Sequence, residues 1–491
     1  MYLFLNYIQL MKEKLKKLAP WIILALILLG TGIWYLLSKR ITQEQITSYQ
    51  QIISEADSQY EAREYSTAIN RYYDATDVIP SRVEAYEGIV DILLLKNRTS
   101  DAKEIVEKSA KKLSNYDRSV LYLRIGNKYY EDSLYDQALS TYLDGLGVGV
   151  TNPELELSIA KTYMKKGKFD DANTYLNKPI YTEDTLNEAT LLRAYILATT
   201  NADDAKKVLD SIQPSDTWKA FYDEFSLVLE SMTDDVKFNA AKLSRVYINS
   251  GYPALAVNLL EPLSEDITEY LEGVYFLGRA YLDVGEYDKA IIQYDRALSL
   301  GGMEEDILWG KARAYLLQDD LENSFESYSK AISYGGEDVS AELVAEYLDL
   351  LLKSSQTLRA DEMVKKLMNY ISSPYVCLYG VKVNKALNDS KKVDYYLGLL
   401  SKMKLNDAEK KEYMYLNASN LLAQGKTDSV AQVLEELVKL DRFNPQYYFV
   451  NGQLEYTLGN KDNAKEMLKK AIEYDTNNLV TEEANQLLSQ I

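Results

Sequence analysis

The sequence predicts an all-α fold, a solenoid of about twelve helical hairpins preceded by one transmembrane helix, and three observations predict it. Small residues recur at a spacing of 34 with large apolar and aromatic residues at fixed places between them. A charge-free apolar run stands close to the N-terminus. Nine prolines, with no Pro-rich or Ser-rich linker, leave the repeats uninterrupted.

The clearest hairpin runs from Gly278-Arg279-Ala280-Tyr281 through Gly285 to Ala290, Tyr294 and Ala297. Two antiparallel helices approach closely only where side chains are small, and large residues fill the space between neighbours. Gly285 falls where the first helix must stop. A step of 34 forward lands on Ala312, with Tyr315, Ser324, Tyr328 and Ala331 in register. A step back lands on Ser244, with Tyr247, Gly251, Ala256 and Leu260.

Nearer the N-terminus Ala56, Val90, Gly126 and Ala160 open further repeats, and Ala418 and Gly452 do so near the C-terminus. Three repeats are degenerate, near Ala194 and Ala205, near Leu348 and Ala360, and near Gly380. A helical stretch from Trp218 to Glu230 interrupts the period and predicts two halves, 46–215 and 216–478, closed by a capping helix at 479–491.

This pattern resembles the tetratricopeptide repeat. With the small residue of the first helix placed at position 8, the family asks for small residues at 8, 20 and 27 and large ones at 7, 11 and 24. Gly278, Ala290, Ala297, Leu277, Tyr281 and Tyr294 supply them. The resemblance implies a solenoid that presents a long groove to other proteins. It also implies that positions 2, 5, 9, 12 and 13 of each first helix line that groove.

Position 9 is arginine in three successive repeats, Arg245, Arg279 and Arg313. By the same resemblance these stack as a ladder, flanked by Tyr275 and Trp309 at position 5. Guanidinium groups so arranged suit carboxylates or an acidic peptide, with aromatic surface alongside. The plainer alternative pairs each arginine with a local carboxylate, as Arg279 with Asp283 four residues on. On the ladder reading, replacing all three by Gln weakens capture and leaves the thermal midpoint nearly unchanged. The family's Lys and Asn clamp for chaperone tails is not matched, because Leu123 and Leu157 stand at position 5 around Asn127.

Trp21 to Leu37 carries no charge, and ten of its residues are Leu or Ile. At about 1.5 Å per residue the run nearly spans a bilayer core. It predicts an anchor at 21–38 behind a short basic segment at 1–20. A cleaved signal peptide fits less well, since Ser38-Lys39-Arg40-Ile41 follows rather than a small-residue cleavage site. Lys12, Lys14, Lys16 and Lys17 before the run, against Lys39 and Arg40 after it, place the N-terminus in the cytoplasm and the array outside it. Met11 is a second candidate start.

Composition narrows the function. With 0 histidines, nucleophile triads and His metal sites are excluded. The single Cys377 forms no internal disulfide or Cys-rich zinc site, and it reads as a buried small hydrophobe. A net charge of −19 argues against nucleic acid. Gly425-Lys426-Thr427 imitates the end of a phosphate loop, but Asn420 stands where that loop needs glycine. Of the 42 tyrosines, Tyr129, Tyr163, Tyr247, Tyr281 and Tyr315 occupy position 11 and Tyr72, Tyr142, Tyr294 and Tyr328 position 24, where their rings pack and their hydroxyls reach the solvated edge.

The expectation is therefore no enzyme, no cofactor and no small-molecule substrate. A membrane-anchored scaffold binding proteins of the cell envelope leads, resembling in plan bacterial accessory proteins of secretion, pilus or cell-wall machinery. A receptor capturing an extracellular or acidic peptide in the groove is the alternative.

Overall fold

The structure, a computed structural model, describes residues 41–491 apart from Tyr370 and Ser372. The predicted anchor at 21–38 and the segment at 1–20 lie outside the described residues. Among the described residues no helix is long and apolar enough to cross a membrane. They form 26 α-helices and three short 3₁₀ turns, with no strand.

Twelve hairpins follow one another. The first five are α1 Gln43–Glu61 with α2 Tyr65–Val78, α3 Val83–Leu95 with α4 Thr99–Lys108, α5 Asn115–Glu131 with α6 Tyr135–Gly147, α7 Pro153–Lys165 with α8 Phe169–Leu176, and α9 Glu183–Ala198 with α10 Ala202–Leu209. An extra helix, α11 Asp216–Glu230, then intervenes. The next three are α12 Val236–Asn249 with α13 Pro253–Leu260, α14 Leu271–Asp283 with α15 Tyr287–Leu300, and α16 Glu304–Leu317 with α17 Leu321–Gly335. The last four are α18 Ala341–Lys353 with α19 Thr357–Met368, α20 Pro374–Ala386 with α21 Ser390–Leu400, α22 Asp407–Ala423 with α23 Thr427–Leu440, and α24 Pro445–Thr457 with α25 Lys461–Tyr474. Helix α26, Thr481–Leu488, packs on α25.

The chain divides into two compact parts, one reaching Ile92 together with Lys111–Leu113, the other Leu93–Ala110 together with Ser114–Ile491. In the first, Tyr49 packs among Ala75, Ile79 and Ala85. Its hydroxyl donates to Glu84 at 3.3 Å. In the second, the helices of each pair pack on each other, and the first helices of successive pairs touch side by side. Helices α12, α14 and α16 make one such layer, and α18, α20, α22 and α24 another.

Local sequence explains the starts and stops. Thr42 with Gln45 and Asn406 with Glu409 form capping boxes, and proline opens α7, α13, α20 and α24 where its missing N–H goes unused. Seven residues after position 8 the backbone turns left-handed, with φ of 87° at Gly285 and 80° at Gly251. Arg63, Asn97, Ser133, Asp319 and Ser355 keep that turn without being glycine, at φ between 55° and 63°. The repeat geometry there overrides residue preference.

The small residues sit at the helix contacts. A Cβ on Gly278 would lie 3.2 Å from the Tyr294 ring, and one on Gly310 would lie 2.5 Å from the same ring. Tyr294 thus fills a slot between its own first helix and the next. The degenerate repeats keep the rule in their cores, since Ala194, Ala205, Leu348 and Ala360 are fully buried. Cys377 is buried in α20, and burial pushes its thiol up. Gly425 to Thr427 forms the turn between α22 and α23, with no strand before it.

The tyrosine expectation needs a correction. The position 24 rings are buried, and the hydroxyls of Tyr72, Tyr142 and Tyr328 end on protein acceptors rather than at a solvated edge. Tyr72 donates to Asp57 at 2.7 Å and Tyr142 to Asn127 at 2.8 Å, each acceptor being the position 9 residue of the same repeat. Tyr247, at position 11, donates to the backbone oxygen of Tyr195 at 2.9 Å. A phenol inside a two-helix layer is otherwise left without a partner, which is costly.

Candidate functional site

Position 9 follows the buried small residue of each first helix, so it points about 100° away from the helix pair contact. Where it is Asp57 or Asn127, it accepts the tyrosine hydroxyl of its own repeat. An arginine accepts nothing. The three arginine repeats therefore differ in how they use that corner, and the three side chains have three different surroundings.

Arg313 is engaged. Its Nε donates to Glu346 Oε1 at 2.9 Å and its terminal nitrogen to Oε2 at 2.6 Å. The guanidinium lies 4.4 Å from the Trp309 ring centre. Trp309 Nε1 and the Tyr328 hydroxyl donate to the same carboxylate at 2.9 and 2.5 Å. Burial alone would raise Glu346, but the donors Arg313, Tyr328 and Trp309 outweigh it and hold the carboxyl below its usual value. Trp309 and Arg313 thus form a closed charge box with the next repeat.

Arg279 is partly engaged. It lies beside the Tyr275 hydroxyl and within electrostatic range of Asp283, without an ion pair within 4 Å to any described residue. Asp283 stays open to water on one side. Partial burial raises its carboxyl above the usual value, against the pull of Arg279, Arg313 and Lys165. Tyr275 is 9 % exposed and packs between Phe276 and Tyr294, so it offers Arg279 its edge rather than a free ring face.

Arg245 is exposed and makes no ion pair or hydrogen bond with any described residue. Its repeat carries Leu260 at position 24, which brings no hydroxyl to the corner. The structure brings Arg279 and Arg313 together around Asp283 and sets Trp309 under Arg313. Arg245 stands apart from that cluster.

Lys165 and Glu346 were missed by sequence reasoning. Lys165, at the end of α7, donates to the Gly251 carbonyl and sits 5.3 Å from the Tyr252 ring centre. It stands at position 13 of the repeat opened by Ala160, a groove position by the resemblance, but no local pattern says that it reaches the hairpin two repeats on. Glu346 lies 34 residues after Ala312, but that step does not reach the core position of the next repeat. The core residue of that repeat is Leu348, two residues further on, so the period is shifted there and Glu346 falls at position 6, where the pattern asks for nothing in particular.

Paired helices with small residues at their contacts and a shared first-helix layer define a helical-repeat protein of the kind that presents surface to other proteins. The tetratricopeptide repeat description matches residues 275–338 and again residues 445–478, so the chain carries tetratricopeptide repeats. No curated protein matches it. Similar solved structures include a chain of the APC/C hetero-tetramer Cut9–Hcn1, at 13% identity over 90% of each chain and a TM-score of 0.33. A tetratricopeptide repeat protein from Parabacteroides merdae ATCC 43184 is 18% identical over 52% of this chain and 98% of that one, with a TM-score of 0.37. Yeast Tom70 is 14% identical over 91% of this chain and 96% of its own, with a TM-score of 0.34.

Proposed function

We propose that the protein is a membrane-anchored scaffold whose first-helix face holds other proteins of the cell envelope, with the array outside the cytoplasm. The observation that carries the binding reading is that neither Arg245 nor Arg279 makes an ion pair with any described residue. Two guanidinium groups on successive first helices stand without an ion pair, in a chain whose carboxylates outnumber its basic residues, 74 to 55. The uncharged run Trp21 to Leu37 supports the anchor, and the lysines before it support the orientation.

Crosslinking in intact membranes with identification of the products tests the scaffold. Recovery of one or a few envelope proteins supports it, and a chain that crosslinks only to itself counts against it. Protease added to spheroplasts tests the orientation: the array is digested if it lies outside, and a protected full-length array reverses the assignment.

Arg245 and Arg279, without an ion pair to any described residue, also favour a second reading, a receptor for an acidic peptide. An acidic peptide bound by the parent and lost in the Arg245→Gln, Arg279→Gln double variant supports the receptor. Retained binding removes it.

A further inference from the structure

The repeat period leaves one element unexplained, and that element builds a pocket. Helix α11 belongs to no hairpin, yet it packs against α9, α10 and α12. Tyr222, Phe225, Val228 and Leu229 are its buried face. Trp218 is only half-buried and Phe221 is 50 % exposed, with ring centres 5.6 Å apart. Trp218 packs on the core with one part of its ring and leaves the rest open, and Phe221 adds little to the packing of α11.

They wall a pocket of about 250 Å³ between α9, α11 and the end of α12. Its floor is apolar, with Leu191, Leu192 and Val246 each 3 % exposed and Tyr195 and Tyr252 beside them. The Tyr195 hydroxyl is satisfied by Ser250 at 3.1 Å. The charged groups in the lining are two carboxylates, Glu188 and Glu224, and no cation. Glu188 holds Lys161 at 2.7 Å. Glu224 is exposed and makes no ion pair or hydrogen bond with any described residue.

The volume falls below the roughly 300–1,000 Å³ of small-molecule sites and suits one long side chain. An apolar floor accommodates an aliphatic stem, aromatic faces attract a cation, and a free carboxylate at the rim completes the ion pair. An acidic side chain would meet the uncompensated like charge of Glu224. A neutral apolar one would leave Glu224 unused and partly desolvated.

We infer that this pocket binds a lysine or arginine side chain from a basic segment of a polypeptide partner. The inference rests on the reading that the array holds polypeptides, but it uses residues separate from the arginine row. A partner with basic segments also complements a chain of net charge −19.

The test uses the full chain and fluorescein-labelled decapeptides that differ only in two central residues, Arg, norleucine or Glu, with binding read by anisotropy. The Arg peptide is expected to bind about tenfold more tightly than the other two. Glu224→Gln should remove most of that preference and leave the norleucine peptide unchanged, and Trp218→Ala should weaken both. Arg245→Gln with Arg279→Gln should leave the Arg peptide unaffected, which separates failure of the pocket from failure of the arginine row. Equal binding of the Arg and norleucine peptides overturns the inference. So does Arg-peptide binding indifferent to Glu224→Gln, binding of none of the three, or preference for the Glu peptide. If Trp218→Ala loses its helical signal, the exposed and unpaired Glu224 still decides the matter.

Discussion

Replacing Arg313 should injure the fold, whereas replacing Arg245 should not. The two residues occupy the same position of the repeat, so the contrast isolates the charge box. In Arg313→Gln the Glu346 carboxylate keeps Trp309 and Tyr328 but loses its guanidinium partner. Hydrogen bonds to charged groups are worth about 1.5–3 kcal/mol. The two side chains are 45% and 28% exposed, so water replaces part of the loss. The expected deficit is about 1–2 kcal/mol, against less than about 0.5 kcal/mol for Arg245→Gln.

Repeat arrays do not melt as one unit. The assay is therefore hydrogen exchange in α16 and α18 together with the urea midpoint. The pH dependence has a definite sign. Despite desolvation, Glu346 titrates below its usual value in the folded chain. Its contribution is then full above the unfolded value near ~4.3 and is lost as pH falls through the folded one. The Arg313→Gln deficit should be full at pH 7 and close on acidification. Equal exchange in the two variants, or a deficit that persists in acid, refutes the charge box. Triple replacement of the arginines should therefore perturb folding through Arg313, and the Arg245, Arg279 pair is the clean probe of capture.

Other outcomes follow from the packing. Gly310→Ala should cost about 1–3 kcal/mol, because Tyr294 is already backed by Gly278 and cannot retreat. Gly398→Ala, in α21 with nothing within 4 Å of the new Cβ, should instead stabilise by about 1 kcal/mol, and urea midpoints check both. Ser355→Gly should raise stability by roughly 1 kcal/mol by relieving a left-handed turn at φ 57°, as read by thermal melts. Asp475 accepts from the backbone N–H groups of Leu479, Val480 and Thr481 at 2.8 to 2.9 Å. Asp475→Ala should speed hydrogen exchange across 479–491 at least tenfold while leaving α12 to α16 unchanged.

Much of the architecture was legible because it depends on volume at fixed spacing. Gly278, Tyr294 and Ala297 could be assigned to a hairpin contact from the period alone. The left-handed turn was visible at Gly285 but hidden at Arg63 and Ser355, where only the fold demands it. The candidate site was less legible. Positions of Arg245, Arg279 and Arg313 follow from the period, but their surroundings do not, since Glu346 reaches Arg313 from the next repeat and Lys165 shares Asp283 with Arg279 from an earlier one. The pocket at Trp218 and Phe221 depends on how far α11 tucks against α9, which no local pattern specifies.

The central claim is that the first-helix face holds a protein partner. A photo-crosslinking residue placed singly at Arg245 or Arg279, and for contrast at Ser329 or Lys330 on the second helix α17, tests it in intact cells. The account predicts a discrete crosslinked product from Arg245 and Arg279 that is absent from the α17 positions. Crosslinks of equal strength from both faces, or from α17 alone, would contradict it.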